Sequence, residues 1–357
     1  YNNNGNFDLK WISDVPAIDR NYLDRDAHSP HLADFNGDGL SEVYVINKIY
    51  NGANGELILD SGDSKFIGRA YNSQYFNQFT LAADVLQDSQ CPDCEGLELL
   101  AGGRVYSVHI DTMNLSESRL THVLSAPKAV DGFNAVADVD FDGDIDVILT
   151  HGNSSQAEII IWDGQTSQLL APIYYLNSTR GYIGIPAIDD VDNNGHMDIA
   201  ICGSESFNLF ELQNDVLFQK WSIPTTDFSG HTGCIIFDFN GEGRKEVVYR
   251  DQTHLRIFDG STGNELHRQP CTSGTASEYP VVVDVDADGE TELLCSCGSN
   301  LINYGSSSFK WLPTRKVWNQ HLFNNVNIND DLTIPRIQQE PHILTDSVNL
   351  NFFLTPY

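Results

Sequence analysis

The chain has 357 residues, of which 20 are Lys or Arg and 50 are Asp or Glu, so its formal net charge is −30. So few cations argue against a nucleic-acid partner or an anionic membrane surface, because both require clustered positive charge. A hydrophobic fraction of 41% indicates a globular chain rather than a disordered one. No apolar run approaches the roughly 18 residues of a membrane-spanning helix, so no transmembrane segment is predicted.

A nine-residue acidic phrase recurs along the chain. It has Asp at position 1, Asp or Asn at position 3, Asp, Asn or Glu at position 5, Gly at position 6 and an acid at position 9. Each copy lies between short apolar runs, which predicts a strand, a loop and a second strand. The complete copies occupy residues 34–42, 138–146, 190–198, 238–246 and 284–292.

A sixth copy, which begins at Asp84, is damaged: its loop is enlarged and contains Cys91 and Cys94. These two cysteines are close enough to form a disulfide that clamps the loop tip, which suits an oxidising compartment. With only one CxxC pair among seven cysteines, a structural zinc site is not expected. The other five cysteines are left as buried thiols or as pairs that the sequence does not identify.

Two further phrases recur between the acidic loops. Apolar residues followed by an Asp-Gly turn, as in residues 161–169 and 257–266, predict hairpins. A phrase that ends in Lys-Trp occurs at Phe7–Trp11, Phe218–Trp221 and Phe309–Trp311. After the last of these, residues 325–330 resemble a seventh acidic loop that has lost its glycine and its final acid.

The spacing of the copies predicts the fold. Their starting points lie 46 to 54 residues apart, and a β-propeller blade of four short strands needs roughly 40 to 50 residues. We therefore predict an all-β protein, a single β-propeller over residues 1–335 with seven blades of four antiparallel strands. The N-terminal strand would close the ring by pairing into the last blade, and residues 336–357 would form a tail or linker. An open array of six repeats is the alternative.

The acidic phrase predicts calcium sites. Oxygens at positions 1, 3, 5 and 9, with glycine permitting the sharp turn, suit the six to eight oxygen ligands of Ca²⁺. An EF-hand is excluded because position 12 holds no carboxylate in any complete copy. Simple Asp-Gly turns are the alternative, but five copies in register place several carboxylates together, which favours a cation. Metal binding by the Asp84 and Asn325 loops stays open.

About five Ca²⁺ sites are thus predicted. Their ligands are Asp34, Asn36, Asp38 and Glu42; Asp138, Asp140, Asp142 and Asp146; Asp190, Asp192, Asn194 and Asp198; Asp238, Asn240, Glu242 and Glu246; and Asp284, Asp286, Asp288 and Glu292.

These residues carry a resemblance. The pattern D-x-[DN]-x-[DNE]-G-x-x-[DE], repeated about every 50 residues, resembles the FG-GAP and VCBS repeats of propellers similar to integrin α-subunits. Residues 311–335 also resemble segments of very large Bacteroidota surface proteins exported by type IX secretion. The resemblance implies a calcium-binding propeller that is secreted or displayed on the cell surface, in a larger adhesin or gliding-related protein.

Three functions compete. The first is a non-catalytic, calcium-stabilised interaction module whose partner is a protein or glycan at the cell surface. The second is the propeller domain of a secreted polysaccharide-active lyase or hydrolase, and the third is a passive spacer. An enzyme would need a base beside a carboxylate or metal in one cleft. Five histidines lie near predicted loop ends, but no catalytic motif accompanies them: His28, His31, His151, His196 and His231.

Overall fold

The computed structural model describes residues 8–17, 29–70, 78–153, 155–177, 180–339, 344–345, 348–349 and 352–356. The regular secondary structure of these residues consists of β-strands and two short 3-10 helices, Leu115–Glu117 and Asn325–Asn327, joined by turns and loops. Within the described ranges, no helix is long and apolar enough to cross a membrane.

Six antiparallel sheets of three or four strands follow one another along the described chain. Within each sheet the strands pair in chain order. Sheet 1 contains β1 (His31–Ala33), β2 (Glu42–Val45), β3 (Lys48–Asn51) and β4 (Leu57–Asp60). Sheet 2 contains β5 (Leu81–Ala83), β6 (Glu98–Ala101), β7 (Arg104–His109) and β8 (Arg119–Ser125). Sheet 3 contains β9 (Phe133–Ala137), β10 (Asp146–Gly152), β11 (Ala157–Asp163) and β12 (Tyr174–Leu176).

The second half continues this arrangement. Sheet 4 contains β13 (Ala187–Asp189), β14 (Asp198–Gly203), β15 (Ser206–Gln213) and β16 (Val216–Pro224). Sheet 5 contains β17 (Cys234–Phe237), β18 (Glu246–Arg250), β19 (His254–Asp259) and β20 (Glu265–Pro270). Sheet 6 contains β21 (Val281–Val283), β22 (Glu292–Cys297) and β23 (Asn300–Tyr304). A separate pair joins β24 (Leu344–Thr345) to β25 (Val348–Asn349).

The sequence of each strand reflects its position in the sheet. The first strands are short and almost wholly buried, as in β9, because neighbouring sheets cover both faces. The fourth strands are mostly exposed or half-buried, as in β8 and β20, because they lie at the outer edge of their sheets and meet solvent. Tight turns join the strands: Asn214 and Asp215 both have positive φ, as expected in a type I′ hairpin.

Neighbouring sheets pack face to face in chain order. The first strand of sheet 3, β9, contacts β5 of sheet 2 and β13 of sheet 4, and β17 contacts both β13 and β21. Aliphatic side chains from sheets 2 to 5 form one continuous core between these faces. The arrangement is propeller-like, with the first strands innermost.

The segment after sheet 6 lies where the seventh blade is predicted. Its backbone contacts sheet 5 through Leu312 and sheet 6 through Arg315, and the side chain of Gln320 accepts a hydrogen bond from the Leu32 amide of sheet 1. Residues 305–339 contain the second 3-10 helix but no sheet. The seven-bladed count therefore stays a prediction.

The N-terminal segment contacts sheet 1. Phe7 lies outside the described residues, and residues 8–13 form no strand and no ladder with residues 309–311 in the described structure. Trp11 Nε1 instead donates to the carbonyl of Gly52 at 2.9 Å. In the same way Trp221 of sheet 4 donates to Gly260 of sheet 5 at 2.7 Å. Trp11 thus makes the contact with sheet 1 that Trp221 of the outer strand β16 makes with sheet 5, and ring closure by the N-terminus remains a prediction.

The last described residues are buried. Although the sequence assigns residues 352–356 to a tail, the side chains of Phe352, Phe353 and Leu354 are at most 1% exposed. Phe353 exchanges two 3.0 Å backbone hydrogen bonds with Ile188 of the inner strand β13. This part of the chain therefore belongs to the core.

Candidate metal centres

All six sheets place their acidic loop in the same register. The loop joins the first and second strands, and the residue before position 1 pairs with the acid at position 9. These pairs are Ala33 with Glu42, Ala83 with Glu98, Ala137 with Asp146, Asp189 with Asp198, Phe237 with Glu246 and Val283 with Glu292.

The loops share one rim of the molecule. Neighbouring loops touch: the Lys245 amide in sheet 5 donates to the Val191 carbonyl in sheet 4 at 2.8 Å. The Gln165 amide group, from a turn of sheet 3, donates to the Val85 carbonyl in the sheet 2 loop at 3.0 Å. The sequence predicts each loop separately, and the fold brings them side by side.

The acid at position 9 also receives a hydrogen bond from the amide of position 2. Glu42 accepts from Phe35 N at 3.0 Å and Asp146 accepts from Val139 N at 2.8 Å. The same contact occurs in sheets 4, 5 and 6, where the distances are 2.9 to 3.0 Å. The carboxylate is thereby fixed beneath the loop.

Positions 1 and 5 shape the turn. In sheet 1, Asp34 accepts from the amides of Asp38 and Gly39, at 3.1 and 2.8 Å. Asp38 in turn accepts from Leu40 N at 2.7 Å. Gly39 has a φ of +87°, which an L side chain rarely adopts. The glycine thus permits a turn that directs several oxygens inward.

Three loops bring their acids within reach of one cation. Carboxylate oxygens of positions 1, 3 and 9 lie within 4.8 Å of one another in sheets 3, 4 and 6: Asp138, Asp140 and Asp146; Asp190, Asp192 and Asp198; Asp284, Asp286 and Glu292. Such clusters could hold a metal ion. The acids of sheets 1 and 5 do not meet this limit within the described structure, since position 3 there is Asn36 or Asn240. The position 5 acids of sheets 3 and 6, Asp142 and Asp288, are not part of these clusters.

Burial beside other acids perturbs the position 9 carboxyls. Burial, followed by the charges of Asp140, Asp138 and Asp142, raises the pKa of Asp146 to about 9, although the Val139 amide opposes the rise. Burial and neighbouring acids also raise the pKa of Glu42 to about 8 and that of Glu246 to about 7. A cation among these oxygens would favour the ionised form.

Calcium fits this donor set. In sheet 6, Asp284 Oδ1 is buried and has no hydrogen-bond partner among the described residues. An unsatisfied buried carboxylate oxygen is costly, and a hard cation would satisfy it. The predicted ligands at positions 1, 3, 5 and 9 would then hold Ca²⁺ and join the first strand of each sheet to the second.

The loop of sheet 4 already contains a protein cation. Lys220 Nζ lies 2.8 Å from Asp192 Oδ2, 2.9 Å from Asp198 Oδ1 and 2.8 Å from Glu211 Oε2. The sequence gives no sign of this contact, because Lys220 follows the loop by more than 20 residues.

The damaged loop of sheet 2 keeps the position 9 contact. Glu98 Oε2 accepts from the amides of Val85 and Leu86, at 2.9 and 3.0 Å. Burial, followed by the charges of Asp84 and Asp88, raises the Glu98 pKa to about 8 even though both amide hydrogen bonds lower it. Glu98 is thus a sixth position 9 acid, which strand register could have identified. The loop also borders a cavity of about 420 Å³, together with Asp144 of sheet 3.

Two disulfides are present. The predicted pair Cys91–Cys94 is confirmed in the sheet 2 loop. Cys271–Cys297, which the sequence does not predict, joins the end of sheet 5 to sheet 6. Cys202, Cys234 and Cys295 are free and buried.

The candidate histidines do not form one cleft. His28 lies outside the described residues. His31 and His231 are buried in the core, where His31 contacts the Thr80 carbonyl. His151 is half-buried against the Asp131 carbonyl, and His196 lies on an exposed loop. These environments give no catalytic constellation among the described histidines.

Comparison with known proteins supports this architecture. Residues 138–201 and 190–249 match the model of the FG-GAP-like repeat. The match spans the loops of sheets 3, 4 and 5, which the register independently makes equivalent. No curated protein sequence matches the chain.

Solved structures resemble the chain at low sequence identity. The V. cholerae biofilm matrix protein Bap1 is 16% identical and has a TM-score of 0.64; the match covers 93% of this chain and 77% of that chain. Rhamnogalacturonan lyase YesW is 12% identical, with a TM-score of 0.39 and coverage of 81% and 52%. BBS1N in complex with ARL6DN is 13% identical, with a TM-score of 0.47 and coverage of 82% and 84%. Of these three similarities, that to Bap1 has a TM-score high enough to support a shared fold.

Proposed function

We propose that this chain is a non-catalytic, calcium-stabilised module of an extracellular or cell-surface protein, in which the repeated loops bind structural Ca²⁺ and the propeller presents a surface to a protein or glycan partner. An adhesin is the kind of protein that such a module would serve. Export by type IX secretion and a role in gliding rest on the sequence resemblance alone.

The repeated loop geometry carries the proposal. One register recurs in six sheets, and in five of them it buries the position 9 carboxylate beside other acids. Without a cation these acids repel one another, and with Ca²⁺ each loop would become a clamp between two strands. Metals spread around a rim at intervals of one sheet cannot all face one substrate, so a structural role is favoured over catalysis.

Two further observations support an extracellular setting. Two disulfides suit an oxidising environment, since cytosolic thiols are mostly kept reduced. The solved structure with the most similar fold above is described as a biofilm matrix protein, which is an extracellular setting of the same kind.

Calcium content and thermal stability test the proposal. The purified chain, exchanged into calcium buffer and desalted, should retain at least two ions per molecule by elemental analysis. Chelation should lower the melting temperature and increase protease cleavage, because a ligand that binds only the folded state stabilises it by mass action.

Matched substitutions in one loop localise the effect. Asp284→Asn at position 1 should remove one ion, whereas Glu290→Gln at position 7, whose side chain pairs with exposed Lys310, should remove none. Retention of fewer than two ions, or a melting temperature that chelation leaves unchanged, would contradict the proposal. Turnover of a polysaccharide by the chain, lost on substitution of one loop while the fold survives, would show an enzyme instead.

A further inference from the structure

The acidic loop of sheet 4 has a cation of its own. Lys220 Nζ makes three ion pairs of 2.8 to 2.9 Å, to Asp192, Asp198 and Glu211, and its side chain is only 12% exposed. Asp198 is fully buried. Two of these contacts, to Asp192 Oδ2 and Glu211 Oε2, are hydrogen bonds, and the contact with Asp198 Oδ1 is an ion pair.

A backbone bulge places Lys220 there. Along the ladder between β15 and β16, Leu209 pairs with Trp221 and Phe210 pairs with Gln219, so Lys220 is the extra residue of a β-bulge. A bulge redirects the side chain of the extra residue. The contact is therefore a property of the strand pairing.

The same bulge occurs in other sheets, but with an apolar residue. The register shifts between the third and fourth strands of sheets 1, 2 and 5 also skip one residue. The skipped residues are Ile58, Val123 and Leu266. Among these four bulges only sheet 4 has a cation, so its loop differs from the loops around it.

Glu211 makes different contacts from the equivalent acid of sheet 3. It pairs with Asp198 across β14 and β15, and its counterpart in sheet 3 is Asp163. Asp163 accepts from the amides of its own turn, at Gln165 N and Thr166 N. Glu211 instead accepts from Asn194 Nδ2 at 2.7 Å and from Lys220. This brings a third carboxylate to the ammonium.

We infer that Lys220 replaces Ca²⁺ in the loop of residues 190–198, so that this loop is held together by an internal ammonium and binds no metal. A calcium ion would need the oxygens of Asp192 and Asp198 that the ammonium already contacts, and two cations so close together would repel each other. The inference rests on the proposed function, because it assumes that the other complete loops bind calcium.

In the last repeat, an arginine side chain rather than a lysine side chain lies in the loop. Arg315 donates to the carbonyls of Asn325 and Ile328, at 2.9 and 2.6 Å, and to Asp330 Oδ1 at 2.7 Å. These acceptors belong to the degenerate loop that the sequence places in a seventh repeat. A side-chain cation therefore also lies in the loop that has asparagine at positions 1, 3 and 5, which is a second case of the arrangement seen around Lys220.

Exchange of Lys220 for the residue of a neighbouring bulge tests the inference. Lys220→Ile, which introduces the residue type found at Ile58, should bind one more calcium ion than the unsubstituted chain. Its melting temperature should also become more sensitive to chelation. Without the ammonium, the charges of Asp192, Asp198 and Glu211 would be balanced by bound calcium, which a chelator removes. Lys310→Ile is the matched control, since this lysine belongs to the same sequence phrase but is 80% exposed.

A second comparison does not depend on the folding of the lysine variant. In the unsubstituted background, Asp138→Asn in sheet 3 should remove one calcium ion and Asp190→Asn should remove none. Loss of one ion on Asp190→Asn, or no gain in a folded Lys220→Ile variant, would overturn the inference while leaving the proposed function intact. A chain that binds no calcium at all would overturn both.

Discussion

Three histidines lie beside aromatic rings in the core, where His31 and His231 are buried and His321 is half-buried. His321 stacks on Phe79 with ring centroids 4.2 Å apart, His31 meets Tyr44 edge to face, and His231 lies against Phe133. Burial lowers the pKa of His31 and His231 to about 4. Burial, and then the nearby His31, lowers that of His321 to about 3. All three are therefore neutral in the folded protein at pH 5.

This burial predicts a dependence of stability on pH. An unfolded histidine has a pKa of about 6.5, so below that pH the unfolded chain binds more protons than the folded one. Stability is then full above pH 6.5 and is lost as pH falls toward 4, by about 2 kcal/mol per histidine at pH 5. His321→Phe should reduce the loss between pH 7 and pH 5 by about that amount, measured by urea unfolding.

The control is His267→Gln, which changes an exposed histidine of β20 and should leave the pH dependence unchanged. Equal losses in His321→Phe and the unsubstituted chain would show that His321 is not buried in its neutral form.

At this scale the sequence predicts part of the candidate site. The five complete loops are predicted from their own residues, because position and spacing decide the chemistry of a short turn. Lys220 and Glu98 are not, because their contacts depend on a bulge and on strand register. Side chains that meet through tertiary pairing leave no local pattern.

Neighbouring sheets are joined by a repeated contact between tryptophan and glycine. Trp221 of sheet 4 donates to the Gly260 carbonyl, and its ring covers Gly263, where a Cβ would lie 2.8 Å from Trp221 Cδ2. Trp11 covers Gly55 of sheet 1 in the same way. The two glycines of each turn, Gly52 and Gly55 in sheet 1 and Gly260 and Gly263 in sheet 5, therefore accommodate the indole as well as the backbone conformation.

Substitution of Gly263 tests this contact. Gly263→Ala combines a positive φ of +70° with a clash, and should lower the free energy of unfolding by about 2 to 4 kcal/mol. Gly62→Ala is the control: its φ is +65°, but nothing lies within 4 Å of a Cβ there, so about 1 kcal/mol is expected. Equal losses in the two variants, in chemical denaturation, would mean that the indole contributes nothing.

The strand pattern was the most predictable level of the structure. Apolar runs on both sides of each acidic loop become the first and second strands, as in β9 and β10. Each repeat of 46 to 54 residues forms one sheet. The segment after β23 is not predictable in this way. It contacts sheets 5, 6 and 1 through hydrogen bonds that do not form a strand ladder, so its sequence has no strand-like alternation of apolar and polar residues.

At the scale of the whole molecule, the C-terminal residues close the interior. Phe353 lies between Ile188 of β13 and Asn324, with which it forms isolated bridges, and Leu354 N donates to the Phe323 carbonyl at 3.2 Å. Residues distant in sequence thus meet beside the inner strand of sheet 4. Hydrophobicity alone does not show this, since a short apolar segment after a polar stretch also suits a linker.

Phe353→Ala should therefore lower the free energy of unfolding by about 3 to 5 kcal/mol, as expected for a buried phenylalanine. Ile337→Ala, in the same C-terminal region but 85% exposed, should change it by less than about 0.5 kcal/mol. Thermal or urea unfolding distinguishes them. A Phe353→Ala variant as stable as the control would place residues 352–356 outside the folded unit.

Because the acidic loops share one rim, calcium uptake would change the electrostatics of the two faces unequally. The opposite face contains the connections between sheets, where Lys65, Lys128 and Arg180 lie among the acids Asp63, Asp131 and Asp227. In a calcium-poor medium the loop face would therefore be the more negative of the two, and anionic surfaces would repel it within a screening length of about 8 Å. Calcium loading would reduce that difference, so the calcium content of the medium would change how closely the loop face approaches an anionic surface.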